Sequence, residues 1–177
     1  GAYSPDTGLL YRPNQMGCTN YAVATIPDDW EPGQRAYDSE AGPRDESMWF
    51  ENLGQLTAVD PTTGEIVWEW GHDYGHDAGP AVTAGGLVFT ASHDRRIRAF
   101  DASNGDILWE QTVTAGSRGG TITYSVDGKQ YVASIVGMGT PSTGVIPDYN
   151  PNADITPPVS GNAAVFVFAL PDDAAAQ

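Results

Sequence analysis

A repeat of 41 residues constrains the fold of this chain more than any other feature of its sequence. The stretch Leu56–Trp70, LTAVDPTTGEIVWEW, places apolar and β-branched residues on both sides of a turn that contains proline and glycine. The pattern returns at Ile97–Trp109, and the paired positions 41 residues apart are Asp60 with Asp101 and Trp68 with Trp109. Each copy predicts two strands joined by a tight turn. A repeat of about 40 residues with strands and no helical periodicity is typical of a four-stranded propeller blade.

The remaining sequence adds strands on both sides of this repeat. After Tyr3, we expect strands at Leu9–Arg12, Gly54–Val59, Ile66–Trp70, Pro80–Thr83, Leu87–Ser92, Ile97–Phe100, Ile107–Val113, Thr121–Val126, Gln130–Val136 and Ala163–Leu170. They form blades at about residues 1–70, 79–113 and 119–170, the last with three strands, and leave insertion loops at 13–53 and 137–161. Closed propellers have about 4–8 blades. We therefore expect residues 1–177 to form an all-β partial propeller, completed by another chain or a missing N-terminal part.

The order of the strands predicts which connections share one end of the blades. Connections in an antiparallel blade alternate between its two ends. Both insertion loops therefore share an end with the connections Gly71–Gly79, His93–Arg96 and Thr114–Gly120. The tight turns fall at the other end: Pro61–Gly64, Ala84–Gly86, Ala102–Gly105 and Asp127–Gly128. We expect the functional residues on the side of the long loops.

Charge and composition narrow the range of partners. The formal net charge is −15, with eight Lys and Arg residues, which argues against nucleic acid as a partner. No apolar run approaches the roughly 20 residues of a membrane span. Cys18 stands alone, so no disulfide forms within the chain. Gly1 opens directly on strand-and-turn sequence without a signal peptide, and we expect a processed or cut product.

The repeat resembles the tryptophan-docking motif of the pyrroloquinoline-quinone (PQQ) dehydrogenases, the eight-bladed quinoprotein alcohol dehydrogenases. Both copies, Ala58–Trp68 and Ala99–Trp109, have the pattern Ala-x-Asp-x-x-x-Gly-x-x-x-Trp. In that family the Trp packs between blades and the turn hydrogen-bonds its neighbour. Further similar segments are Tyr3–Tyr11, Thr83–Phe89, Arg98–Asp101, Asp127–Ala133 and Val165–Leu170. These ordered matches cover nearly the whole chain and correspond to the C-terminal third of such enzymes.

The resemblance implies an activity as well as a fold. The chain would supply about three of eight blades, as a C-terminal fragment or small subunit of a periplasmic alcohol dehydrogenase that uses PQQ and Ca²⁺. Such an enzyme oxidises a small-molecule alcohol to an aldehyde or ketone and passes the electrons to a cytochrome c. In the family, the catalytic aspartate, the calcium ligands and an adjacent cysteine pair come from earlier blades. The resemblance therefore implies no catalytic or metal-binding residue in this chain, and a companion chain that completes the propeller.

The same resemblance indicates residues that line the cofactor. Counting back from Cys18 selects Gln15 for an amide near the quinone, whereas matching the residue type selects Asn14. His76 or Asp77 would contact the cofactor, because Asp77 falls where methanol-oxidising relatives carry a tryptophan. The remaining cofactor-binding candidates are Gly139, Thr140 (in place of a Trp in a Gly-Trp-Pro turn) and Asn162, although a plain turn would use the same glycines.

Other polar clusters have alternative interpretations. His72, Asp73, His76 and Asp77 resemble a metal cluster, but an ordinary polar loop is the preferred interpretation. Alternation places Arg96 and Arg98 on one strand face. A solvent-facing position is preferred over contact with cofactor carboxylates. Trp30 and Trp49 line either a subunit interface, which is preferred, or a substrate mouth. The rival function is a non-catalytic propeller scaffold for protein–protein interaction.

Overall fold

The computed structural model describes residues 1–16, 28–33, 52–76, 78–137 and 163–169. The chain divides into two compact units, one of Gly1–Met16 with Glu51–Gln177 and one of Gly17–Phe50. In the second unit, Asp28, Asp29 and Gly33 lie in turns, Gly33 has φ 100° and Trp30 is half-buried. Trp49 lies outside the described residues. None of the described residues forms a helix that would be long and apolar enough to cross a membrane.

The first unit contains three antiparallel sheets. The first has β1 (Ala2–Tyr3), β2 (Leu10–Gln15), β3 (Gly54–Val59) and β4 (Ile66–His72), in that order. The second has β5 (Ala81–Val82), β6 (Leu87–Ala91), β7 (Arg96–Asp101) and β8 (Ile107–Thr112). The third has β9 (Thr121–Val126), β10 (Lys129–Val136) and β11 (Ala164–Ala169), with β10 in the middle. The predicted strands are confirmed in order and pairing, although β2 and β4 run further than predicted, to Gln15 and His72.

The sheets are arranged as successive propeller blades. The first strands of the blades, β1, β5 and β9, lie next to one another, and each blade continues outward from them. A buried apolar layer joins each blade to the next. Between the first two blades it consists of Leu9, Tyr11, Leu56, Ala58, Trp68, Val88, Phe100 and Ala102. The predicted all-β propeller fold is therefore confirmed, with three strands described in its third blade.

Trp68 connects the first blade to the second. Its indole N–H donates a 3.0 Å hydrogen bond to the carbonyl of Ala102, in the turn between β7 and β8. The Tyr11 hydroxyl donates to the same carbonyl over 2.9 Å. Gly105 leaves room for this contact, since a Cβ atom there would lie 2.7 Å from Cε3 of Trp68. Trp68 and Tyr11 thus join the first blade to a turn of the second.

Trp109 holds the equivalent position in the second blade but is less enclosed. Its ring packs edge-on against Phe168 of the third blade, at 5.1 Å between centroids, and 36% of the residue is exposed. By analogy with Trp68, the turn that would accept a hydrogen bond from Trp109 follows β11, and those residues lie outside the described part of the chain. The two tryptophans therefore occupy equivalent positions in successive blades, and the described residues include both sides of the contact with the next turn only for Trp68.

The C-terminal ends of β2, β4, β6, β8 and β10, from which the connections to the next strands start, lie together at one end of the first unit, named here the loop end. This placement agrees with the strand order predicted from the sequence. Three backbone hydrogen bonds join the connections, from the N–H of His93 to Gly75 (3.1 Å), of Ser117 to Ser92 (3.2 Å) and of Gly137 to Gly116 (2.9 Å).

The contact between Trp68 and Gly105 predicts a specific loss of stability. Gly105→Ala should lower the free energy of unfolding by about 1 kcal/mol for the left-handed backbone at φ 81°. Contact with the indole should add about 1–3 kcal/mol. Gly86→Ala is the matched control, because Gly86 has φ 77° and a Cβ atom added there would have nothing within 4 Å. Denaturant unfolding of both variants measures the difference, and equal losses would show that the indole contact contributes nothing.

Candidate functional site

Three rings, those of Trp70, His72 and His76, form a compact group at the loop end. Trp70 and His72 extend from the same face of β4 as Trp68, because alternate residues of a strand share a face. The centroids of Trp70 and His72 are 4.4 Å apart, with planes 23° from parallel. His76 meets His72 edge-on at 5.6 Å. The strand that holds the interblade tryptophan therefore also places the first two rings of the site.

His76 is fully buried and forms a hydrogen bond through one ring nitrogen. Its Nε2 lies 2.9 Å from the Thr90 hydroxyl oxygen, which in turn lies 3.4 Å from the Ala78 carbonyl oxygen. The hydroxyl has only one hydrogen, so the tautomer of His76 decides whether Nε2 donates to Thr90 or accepts from it. The Nδ1 of His76 has no hydrogen-bond partner among the described residues.

His72 lies in a tight surrounding that glycine makes possible. Both of its ring nitrogens are buried and, within the described residues, lack a hydrogen-bond partner. A Cβ atom at Gly54 would lie 2.9 Å from Nε2 of His72 and would overlap the carbonyl oxygen of Tyr74. Gly54 therefore allows the end of β3 to approach both histidines. Sequence reasoning missed this glycine, whose only signal is its place at the start of a strand.

Both imidazoles are held neutral. Burial lowers the pKa of His72 to about 4, an effect that the nearby Asp94 carboxylate opposes and the Arg98 guanidinium reinforces. Burial lowers the pKa of His76 to about 3, with further lowering by His72 and Arg98. Desolvation disfavours the charged form of a histidine, so each ring is an uncharged hydrogen-bonding group at neutral pH.

The expected solvent-facing position of Arg98 is wrong. Arg98 is 4% exposed and lies between the first two blades, whereas Arg96 is exposed. The predicted common face is confirmed, because both guanidinium groups reach Glu110 at 3.2 Å. Arg98 shares its strand face with Phe100, which packs edge-on against Trp70. The apolar neighbour two residues along the strand was the available signal for burial.

The two amide candidates occupy different faces of β2. Asn14 is half-buried, and its Nδ2 donates to the Thr57 hydroxyl over 2.9 Å and to the Arg12 carbonyl over 3.4 Å. Gln15 is exposed and pairs with Gly54, on the strand face that also carries Tyr11. Because Gly54 packs against His76, Gln15 and the histidine group lie at the same end of the first sheet.

The other predicted cofactor contacts fall outside the described residues. They are Asp77, Gly139, Thr140 and Asn162. Their proposed roles stay predictions. Within the ranges that the structure describes, no group of three or more His, Cys, Asp or Glu side chains is placed to hold a metal ion. In the described part of the Gly71–Asp77 loop, the rings of His72 and His76 pack against each other and against Trp70.

The neutral histidines predict a loss of stability in mild acid. Their folded pKa values of about 4 and 3 lie below the usual 6.5, so the unfolded chain binds protons first as the pH falls. This stability is complete above pH 6.5 and decreases below it, on the order of 2 kcal/mol for each ring by pH 5. Denaturant unfolding at pH 7 and pH 5 measures it.

His76→Gln provides the control for this pH dependence. The amide retains a polar group beside Thr90 but does not titrate, so the variant should lose less stability between pH 7 and pH 5. Burial raises the pKa of Asp94, but the hydrogen bond to Arg98 and the positive charge of Arg98 lower it more. This carboxylate therefore titrates below the range from pH 7 to pH 5. An unchanged loss in His76→Gln would show that His76 is not responsible.

Comparison with known proteins places this geometry in a family. A model of the PQQ glucose/ethanol/alcohol dehydrogenase β-propeller domain matches residues 44–132. A quinoprotein alcohol dehydrogenase of Pseudomonas putida is 36% identical over 96% of this chain and 26% of its own length. Subunit 1 of the methanol dehydrogenase (cytochrome c) of Methylorubrum extorquens is 32% identical over 94% of this chain. The chain thus spans about a quarter of the length of the curated relatives it matches.

Solved structures agree with the sequence match. A europium-containing methanol dehydrogenase superposes with a TM-score of 0.74 at 29% identity, over 96% of this chain and 32% of that one. The family model covers half of the chain and includes the interblade tryptophan and both histidines of the candidate site. This chain therefore belongs to the PQQ-dependent alcohol dehydrogenase β-propeller family.

Proposed function

We propose that this chain is part of a PQQ- and calcium-dependent dehydrogenase that oxidises an alcohol to an aldehyde or ketone. The observation that carries the proposal is the match of the chain to quinoprotein alcohol dehydrogenases, at 36% identity over nearly its whole length. The remaining part of the protein, or a companion chain, would supply the catalytic residues and the calcium ligands. We further propose a periplasmic location and a cytochrome c as electron acceptor, a partner that the names of several relatives include.

The polar groups of the loop end suit a quinone that carries carboxylates. When bound, PQQ supplies the two-electron acceptor that side chains lack. The chain offers the exposed amide of Gln15 and, deeper, the ring nitrogens of His72 that have no partner among the described residues. Buried polar groups are normally hydrogen-bonded, so these nitrogens indicate a site for a polar molecule or water. Neutral rings contact a polar ligand without adding charge.

Gln15 suits direct contact with the cofactor better than Asn14. The hydrogens of the Asn14 amide are already donated, to Thr57 and to the carbonyl of Arg12. Only its oxygen remains free, and an acceptor does not bind a quinone oxygen. The Gln15 side chain makes no hydrogen bond within the described residues, so both of its N–H groups are available. In this proposal Asn14 secures the end of β2, and Gln15 contacts the quinone.

Substitution of the two amides tests this assignment. Gln15→Ala should raise the dissociation constant for PQQ about tenfold, the loss of one hydrogen bond of about 1.4 kcal/mol. Asn14→Ala is the matched control and should lower the free energy of unfolding by about 1 kcal/mol, with a smaller change in PQQ binding. Titration of each apoprotein with PQQ, followed by absorbance, measures the dissociation constants of the two variants, and denaturant unfolding measures their stability. The opposite ranking would assign the contact to Asn14.

The exposed face of the third blade supports the proposal that a further blade of the propeller covers it. Six apolar residues on this blade are 39–64% exposed, although they lie in regular strands. An apolar surface of this kind on a sheet is typical of an interface. The next blade of a ring would cover it. These residues are Ile122, Tyr124, Val126, Ile135, Val165 and Val167.

The activity is tested on the complete protein that contains this chain, purified with any companion chain. We expect it to bind PQQ in the presence of CaCl₂ and to reduce ferricytochrome c when ethanol is added. Omission of PQQ, calcium or ethanol provides the controls, and osmotic-shock fractionation checks the periplasmic location. Folded protein that binds no PQQ would contradict the proposed function. PQQ binding without reduction of any acceptor by ethanol, methanol or 1-butanol would contradict the alcohol substrate.

A further inference from the structure

The buried guanidinium group of Arg98 is the centre of a polar network between the first two blades. Its Nη1 donates to the hydroxyl of Ser92 over 2.8 Å and to Oδ1 of Asp94 over 3.2 Å. Its Nη2 pairs with the second oxygen of Asp94, and its Nε donates to Glu110 over 3.2 Å. All of its hydrogen bonds within the described residues therefore go to the second blade, to Ser92 and Asp94 at the turn between β6 and β7 and to Glu110 on β8.

The same group also contacts the first blade. The Arg98 Cζ atom lies 4.7 Å from the ring centroid of Trp70, a distance typical of a cation–π interaction. Trp70 stacks on His72 at 4.4 Å. Arg98 thus joins the turn after β6 to the ring that supports the histidine group.

The turn after β6 also contacts the loop that carries His76. The His93 N–H donates to the Gly75 carbonyl over 3.1 Å, and a Cβ atom at Gly75 would lie 2.5 Å from Nδ1 of His93. The turn has an unfavourable left-handed backbone at Arg95, with φ 61°. The bonds from Arg98 to Ser92 and Asp94 lie on either side of His93 and help to hold this shape.

We propose that Arg98 is a positioning residue of the loop end, which holds Trp70 and the β6–β7 turn so that His72 and His76 keep their place. The inference rests on the proposed function, because it makes Arg98 a determinant of the PQQ site. Among the described residues, Arg98 forms no hydrogen bond with Gln15, His72 or His76, so its positioning role runs through Trp70 and the turn.

The charges around the histidines give Arg98 an electrostatic role beyond packing. The charged and titratable groups that act on His72 are Asp94, Arg98 and His93, and His76 also responds to His72. Arg98 disfavours a second positive charge nearby and lowers the pKa of both rings, whereas Asp94 raises it. Removal of Arg98 and removal of Asp94 should therefore shift histidine titration in opposite directions.

The test uses the complete protein with three substitutions. Arg98→Met keeps the length of the side chain but removes charge and hydrogen bonds, and should raise the PQQ dissociation constant at least tenfold. Arg98→Lys should restore the charge and part of the affinity. Arg96→Met is the matched control, because Arg96 lies on the same strand face, pairs with Glu110 and is exposed. It should stay within twofold of wild type.

Fluorescence of Trp70 provides a readout that needs no cofactor. A charged imidazole stacked on an indole quenches the indole emission. The part of the pH-dependent quenching that disappears when Trp70→Phe is added to each protein therefore reports protonation of His72. The midpoint of this quenching should move to higher pH in Arg98→Met and to lower pH in Asp94→Asn. A purely structural role would move both midpoints in the same direction, because both variants loosen the turn.

The outcomes separate the inference from the proposed function. Wild-type protein that binds no PQQ contradicts the proposed function, while the fluorescence midpoints still test the effect of Arg98. If wild type binds PQQ and Arg98→Met matches it in affinity and midpoint, the positioning role is wrong. If Arg98→Met does not fold, Asp94→Asn and Arg98→Lys decide. An unchanged or higher midpoint in Asp94→Asn, with unchanged affinity in Arg98→Lys, overturns the proposal.

Discussion

A single backbone carbonyl, that of Ala102, holds the first two blades in register. It accepts hydrogen bonds from the Trp68 indole and the Tyr11 hydroxyl, which fill both lone pairs of the oxygen. Both side chains are buried, so these bonds are shielded from competing water. Trp70 and His72 follow Trp68 along the same strand face. Their approach to the second blade, and hence to Arg98, depends on this contact.

The scaffold was predictable because it depends on local pattern. The 41-residue repeat, the turn residues and the alternation of apolar residues predicted the strands and their order, and strand order predicted the loop end. The same turn chemistry recurs in the structure: Asp60 and Asp101 each accept hydrogen bonds from the residue two positions on. Bulges also recur, after Ala58 and after Ala99. Each of these features involves residues close together in sequence.

The site was less predictable because its chemistry arises between blades. The charge of Arg98 favours a surface position, whereas in the structure it is buried and lies 4.7 Å from the ring centroid of Trp70 of the first blade. The neutral state of His72 and His76 likewise results from burial among distant segments. The family resemblance selected His76 and the Asn14–Gln15 pair. It selected neither Gly54 nor Trp70, whose importance depends on the distances between rings and backbone.

Because the two ends of the blades differ, the molecule can be attached to a surface in a defined orientation. The hairpin turn at Asp127–Gly128 lies opposite the loop end, and nothing approaches within 4 Å of a side chain added at Gly128. A surface anchor or a fused domain attached there would leave the loop end facing solution. Molecules attached to an electrode through this turn would therefore all present the loop end to soluble ligands.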